Sequence, residues 1–411
     1  MQTNARWLHI SDLHVFAEAD TTFMLDDYKE LAQVISPQFL IVTGDFRHKS
    51  RQTDFSLARR YLEAILDIFR IDKADVFLIP GNHDVNEYEG RSNSIIDICQ
   101  HSENDDYDFY SHYPLNKGFS EYKNFVYEFY MDSNVRDSRA RCPEEIMCVT
   151  WNDMLNIIMI NTALVSDGKE HGEIVDINAL SQCRIESDKP SIIIGHHSLE
   201  SLYPCFEERI KGVIDRRKIS AYLHGDGHRY SNKPISNIST PNITIPGIAC
   251  AKSAPQSGDQ FSDIGIVYYE WQSDDNVYVQ AYRWSPQGFR EDPAYYYNIN
   301  KQFSFPMIYK KESKPDKANV LYRQIKNITE SNNYDLFIAG NWVEDAEKIW
   351  ESTYEEEIGR CLLLFYSIMV KNGVEDAKIR VKEILCILEA KEDKDRKTQN
   401  MIESTKSLLC T

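Results

Sequence analysis

The sequence predicts an α/β sandwich followed by a C-terminal helical domain. Three observations carry this reading. Short apolar runs, each ending in a polar loop rich in Asp, His and Asn, recur through roughly the first 230 residues, as buried strands bounded by turns do. Amphipathic stretches lie between them, and strands alternating with helices imply sheets covered by helices. Beyond residue 310 the strand pattern gives way to helical spacing.

The strand candidates are Trp7–Ile10, Phe39–Thr43, Val76–Ile79, Leu155–Ile160, Ile192–Ile194 and Ala221–Leu223. They stop at Ser11, Gly44-Asp45, Pro80-Gly81-Asn82-His83-Asp84, Asn161-Thr162, Gly195-His196-His197 and His224-Gly225-Asp226. Asp54–Phe69 sets Leu57, Tyr61, Ala64, Ile65 and Ile68 at helical spacing. Residues 87–137 are aromatic-rich and polar, and read as an insertion beside the strand ends. From Ile243 to about Ile299, Ile264-Ile266-Tyr268 and Val277-Val279-Ala281 alternate as antiparallel strands do.

Lys310–Lys317 reads as a linker, dividing a domain of residues 1–309 from a helical one of 310–411. Helices are expected over Asn319–Thr329, Val343–Trp350, Ile358–Val370 and Val374–Ala390, then a frayed, charged tail to Thr411. Val-Glu-Asp-Ala occurs at 343–346 and again at 374–377, through a repeat unit or through two similar helix starts.

The chain has 411 residues, long for one core. A net charge of −18 repels polyanions and offers no general footprint for nucleic acid, although bound cations can make one site locally positive. Nine Cys without a CxxC pair predict free thiols in a reducing compartment. Met1–Trp7 does not read as a signal peptide, and the longest apolar run, Cys361–Val370, is far short of a membrane span. A soluble, cytoplasmic protein without a membrane partner is expected. No Walker-type P-loop is present.

Five segments place ligand-type side chains at strand ends: Asp12-x-His14, Gly44-Asp45, Gly81-Asn82-His83-Asp84, Gly195-His196-His197 and Gly225-Asp226-x-His228. Each alone is weak; all five in this order are specific. They resemble the calcineurin-like metallophosphoesterases, whose signature runs D-x-H, G-D, G-N-H-[DE], G-H and G-H-x-H. The resemblance covers roughly residues 5–300 and implies a four-layer α/β/β/α sandwich. It also implies two divalent metals that neutralise phosphoryl charge and lower the pKa of a bridging water. Carried over by position, it makes Asp45 the bridging ligand. Asp12, His14 and His228 complete one metal, and Asn82, His196 and Asp226 the other. His83 faces substrate and protonates the leaving alkoxide. Asp84 counts with it as a catalytic-loop residue that orients the loop, and His48 stands where one branch of the family contacts the scissile phosphate.

One residue departs from the pattern. The family has His where Asp226 stands. An oxygen ligand there favours a hard ion, Mn²⁺ first, with Mg²⁺, Zn²⁺, Fe or Ni as alternatives. His224 is a substitute ligand or a packed residue. His197 supports a ligand from behind or faces substrate. Asn161-Thr162 matches the family's pair or caps a turn. Arg229 and Tyr230 touch substrate or lie in a solvated loop. Phe119, Tyr122, Phe125 and Phe129 in the insertion pack on the domain or, with Tyr107, Phe109, Tyr110, Tyr113 and Tyr127, stack bases.

The expected activity is metal-dependent phosphodiester hydrolysis on DNA, RNA or nucleotides, with the chain as an effector subunit in a multi-protein defence system. A phosphatase or cyclic-nucleotide phosphodiesterase of small substrates is one alternative, and an inactive metal-stabilised scaffold the other. The helical domain is expected to bind a protein partner or self-associate.

Overall fold

A computed structural model describes residues 3–15, 17–22, 24–48, 55–86, 93, 117–133, 135, 138–166, 173–236, 244–254, 264–292, 303–309, 347, 350–351, 354, 356–371, 373–391 and 396–409. The chain forms two compact units, Met1–Lys310 and Lys311–Thr411.

The first unit is built on two stacked sheets. One runs β12-β11-β10-β1-β2-β3, with β13 also paired to β11. Its strands are β1 (Thr3–Ile10), β2 (Phe39–Thr43), β3 (Val76–Ile79), β10 (Gly265–Gln272), β11 (Asn276–Ser285), β12 (Gly288–Glu291) and β13 (Phe303–Pro306). The other runs β4-β5-β6-β7-β9-β8. It comprises β4 (Met147–Trp151), β5 (Leu155–Met159), β6 (Ser191–Ile194), β7 (Ala221–His224), β8 (Ser231–Ser236) and β9 (Thr244–Ala249). β1, β2 and β3 are mutually parallel, as are β5, β6, β7 and β9.

Strand alternation builds the layers. In β2, Phe39 and Ile41 join Trp7, Phe77, Ile157, Met159, Ile194 and Leu223 in the core between the sheets. Leu40 and Val42 point the other way, into a core shared with the helices. Six of these helices are α1 (Leu25–Leu31), α2 (Phe55–Phe69), α3 (Ser120–Tyr130), α4 (Ser138–Arg141), α5 (Ile177–Gln182) and α6 (Pro204–Arg217). In α2, Phe55, Ala58, Tyr61, Leu62, Ile65 and Phe69 form the buried stripe. The result is the expected four-layer α/β/β/α sandwich.

Differences from the expectation have physical causes. β1 begins at Thr3 rather than Trp7, because its first half pairs with β10. β4 and β8 are edge strands with partly exposed faces, so neither reads as an apolar run; Pro234 sits in β8, where an edge tolerates it. β9 pairs parallel with β7, so only its β8 side matches the antiparallel expectation.

In the second unit, α7 (Glu356–Lys371), α8 (Glu375–Ala390) and α9 (Arg396–Leu409) enclose Trp350, Leu362, Leu363, Val381, Ile384, Leu388 and Ile402. Gly373 (φ 82°) allows the left-handed turn between α7 and α8, which Val374 N closes on Met369 O at 3.0 Å. The tail is therefore helical over 396–409, not frayed: Ile402 meets the α7–α8 core and Met401 and Leu409 pack against it. The expected helix 319–329, the linker and the first Val-Glu-Asp-Ala lie outside the described residues. No helix among the described residues is long and apolar enough to cross a membrane.

Candidate metal centre

Each side chain of the centre stands just past the C-terminal end of a parallel strand, where such sheets present their loops. Asp12 and His14 follow β1, Asp45 follows β2, and Asn82 follows β3. His196 follows β6, and Asp226 and His228 follow β7. Backbone bonds lace these loops beyond the strands. Asp12 N donates to Gly44 O (3.1 Å), His14 N to Asp45 O (2.9 Å) and Gly225 N to His196 O (2.9 Å).

Five of these residues hold left-handed backbone: Asp12 (φ 52°), His14 (45°), Asp45 (56°), Asp226 (63°) and His228 (52°). Each costs roughly 1–2 kcal/mol for an L-residue. Such strain gathers where a loop must aim its side chains. Gly44 (φ 86°) is required as well: a Cβ there would meet Gly81 N at 2.6 Å.

The donor atoms converge on Asp45. Its Oδ2 lies 3.6 Å from His14 Nε2 and 3.5 Å from His196 Nε2, while Oδ1 accepts from His83 N at 2.8 Å. Around His14, His228 Nε2 approaches at 3.1 Å, and Asp12 Oδ1 stands 3.3 Å from His228 Nε2. Around His196, Asn82 Oδ1 lies at 2.9 Å and Asp226 Oδ1 at 3.9 Å. His196 donates from Nδ1 to Thr43 O (2.6 Å), which leaves the Nε2 lone pair for the cluster.

Such convergence fits divalent cations. Asp12 Oδ1 is buried and accepts no hydrogen bond, and the facing pairs bring lone pairs together at about the spacing of atoms sharing one ion. Burial pulls the pKa of His14 down to about 4, against Asp45 and Asp12, so the ring is neutral and ligand-ready at pH 7. Burial opposes charge on Asp45, yet His196, His14 and His83 outweigh it and hold its carboxyl well below the usual range. Burial also opposes charge on His196, but Asp45, Asp12 and Asp226 raise its pKa well above that of ordinary imidazole. The same negative field attracts a metal ion.

His83 lies at the edge of this cluster, its ring 4.7 Å from that of His14 and its side chain 32% exposed. Its Nδ1 donates to His48 O, which fixes the ring, and its Nε2 lies 3.9 Å from Asp45 Oδ2. The His48 ring stacks beside it at 6.2 Å.

Asp84 lies behind the cluster rather than in it. It is fully buried, and its carboxylate accepts from the amides of Asp45 (2.8 Å), Phe46 (3.0 Å) and Gly81 (2.9 Å). It ties the β2 and β3 loops together.

Arg47 is the residue that sequence reasoning missed. Its guanidinium is fully buried, 4.4 Å above the Phe55 ring. It donates to His83 O (3.3 Å), Asp84 O (3.3 Å), Asn86 and, on α3, Glu121. The carbonyls behind Asn82 and His83 thus hang on one side chain. Its partners lie up to 74 positions away, so no local pattern reveals them.

Other expectations resolve by position. His224 is buried on Tyr222 and donates to Gly225 O, outside the cluster that Asp226 enters. His197 packs between Thr162 Oγ1 (2.9 Å) and Glu173 (3.8 Å), and burial lowers its pKa to about 3. Asn161 caps a turn, accepting from Ala163 N and donating to Glu144 O. Tyr230 donates to the carbonyls of Ile266 and Tyr282, away from the centre. Phe119, Tyr122, Phe125 and Phe129 are buried core residues of the insertion, while Tyr107, Phe109, Tyr110 and Tyr113 lie outside the described residues.

The calcineurin-like phosphoesterase family matches residues 5–230, more than half the chain. The chain belongs to that family. Its members use a dinuclear divalent metal centre, and this chain brings the matching His and Asp side chains together. The uncharacterized metallophosphoesterase-like protein YydB of Bacillus subtilis is 29% identical over 298 residues, 66% of this chain and 60% of that one. Similar solved structures include the purple acid phosphatase PPD1 of yellow lupin, at 12% identity and TM-score 0.47, covering 75% of this chain and 55% of that one. Another is GAP50, described as the anchor in the inner membrane complex of Plasmodium, at 10% identity and TM-score 0.39, covering 77% and 93%.

Proposed function

We propose that the chain hydrolyses phosphodiester bonds in nucleic acid or nucleotides, with Mn²⁺ as its preferred metal, and that the second unit joins it to a larger assembly such as a defence system. The carrying observation is the placement of His83 at the exposed side of the cluster: a ring 32% exposed and fixed through Nδ1, with Nε2 3.9 Å from Asp45 Oδ2. Asp226 (38% exposed) and His228 (46%) share that side. An accessible rim suits a phosphate within a longer chain better than an enclosed metabolite.

In this reading Asp12, His14 and His228 would hold one metal and Asn82, His196 and Asp226 the other, with Asp45 available to both. Bound divalent cations supply positive charge against the phosphoryl oxygens and make water more acidic. Four oxygen donors, Asp12, Asp45, Asn82 and Asp226, favour a hard ion. His83 gives its Nε2 proton to the departing alkoxide and is left as the Nδ1–H tautomer that the His48 carbonyl already holds. Arg47 and Asp84 keep the His83 backbone in place.

The test is turnover of bis-(para-nitrophenyl) phosphate, its monoester analogue, cyclic nucleotides, and single- and double-stranded DNA with Mn²⁺, using Asp45→Ala as the blank. Diester and DNA turnover are expected, with His83→Ala retaining metal and losing about 10²–10⁴-fold in rate. Hydrolysis confined to the monoester would overturn the diesterase assignment. Loss of metal in His83→Ala would overturn its role as the acid.

A further inference from the structure

At the opposite end of the second sheet from the metal centre lies a cavity of about 410 Å³. Its walls are the loop between α5 and β6, the C-terminal end of α6, and the segment after β13. Five cations line it, Arg184, Lys189, Arg216, Arg217 and Lys218, against one carboxylate, Glu186. Such a concentration of positive charge stands out on a chain of net charge −18.

Basic residues at a helix C-terminus offset the helix dipole, and Arg217 does so by donating to Cys183 O (2.5 Å) and Ser181 O. Lys189 is occupied by Asp153 and Glu186. Those roles leave two guanidiniums unaccounted for. Arg184, on the loop, and Arg216, on α6, have neither an ion pair nor a side-chain hydrogen bond, and the Ser187 hydroxyl beside them has none either. The remaining wall is different in kind: Ile185, Ile308 and the half-buried ring of Tyr309.

We infer that this cavity binds a nucleotide, its phosphates on Arg184 and Arg216 and its base against Tyr309 and Ile308. Guanidinium forks match phosphate oxygens in pairs, and an aromatic face accepts any base. The volume lies within the range of small-ligand pockets. The site is separate from the metal centre but mechanically joined to it. β6 begins at Ser191 in the cavity wall and ends two residues before His196, and β7 starts just after Lys218 and ends before Asp226.

The test measures equilibrium binding of a fluorescent ATP analogue to the full chain in EDTA, with tripolyphosphate and adenosine as competitors. Binding is expected to persist in Asp45→Ala and to weaken at least tenfold in Arg184→Ala/Arg216→Ala, whose diester turnover without nucleotide stays at the wild-type level. Both side chains are exposed, so circular dichroism and melting of this variant should match wild type. Loss of binding in Asp45→Ala, or indifference to the two arginines, would overturn the site. Competition by tripolyphosphate as strong as by ATP would overturn the base contact. None of these outcomes depends on which phosphoester the metal centre cleaves.

Discussion

The two Asp-x-His loops of the centre share a backbone shape and differ in what supports it. Asp12-Leu13-His14 and Asp226-Gly227-His228 both place their outer residues in left-handed conformation. The first is entirely buried, with Leu13 in the core and His14 N bonded to Asp45 O. The second carries Gly227 at its tip, makes no core contact there, and is braced by Asp226 N on Asp12 Oδ2 (3.1 Å). One loop sets the position of the centre; the other closes over it from the solvent side. A ligand's chemistry is thus shared between the sheets, while its rigidity is not.

Asp45 stands between these loops and tests the comparison most severely. Asp45→Ala is expected to remove both ions and lower turnover by at least about 10³-fold, read by metal analysis beside kinetics. One ion retained at wild-type affinity would show that Asp45 does not bridge. Next come the paired histidines. His14→Ala should cost roughly tenfold more metal affinity than His228→Ala, about 1.4 kcal/mol, because the exposed side of the cluster admits water as a replacement ligand. Equal losses in metal titration would erase the distinction between scaffold and rim. Arg47→Ala should keep the metals, lower kcat about tenfold and cost about 1–3 kcal/mol in urea unfolding, since the His83 and Asp84 carbonyls lose their donor. An unchanged kcat would confine Arg47 to packing. Asp226→His is the mildest change: turnover within about tenfold, with preference shifting toward Zn²⁺. Loss of one ion would mean that the loop cannot carry the longer ligand.

Much of this was legible in the sequence because buried parallel strands leave a plain mark. Phe39–Val42 and Val76–Ile79 are unbroken apolar runs, and each is followed by polar residues of ligand type. What stayed hidden depends on distant partners. Arg47 looks like a surface residue until Glu121, Asn86 and Phe55 are brought around it. Asp84 sits in a catalytic motif, yet three backbone amides consume its carboxylate. His197 and His224 each neighbour a ligand, and only the strand-end geometry turns one toward Glu173 and the other onto Tyr222. α6 carries Phe206, Ile210, Val213 and Ile214 at helical spacing, diluted by charged residues that face solvent.

The centre draws Asp12, His14, Asp45 and Asn82 from the first sheet, and His196, Asp226 and His228 from the second. A cation held among them is a rivet through two separately woven layers. In synthesis the order is fixed: the first four donors emerge early, and His228 emerges only after β7 is complete. A growing chain short of that residue has half a coordination shell and no second wall to press it against. The full donor set is therefore assembled only after β7 has been made, although β8 to β13 have still to join the two sheets.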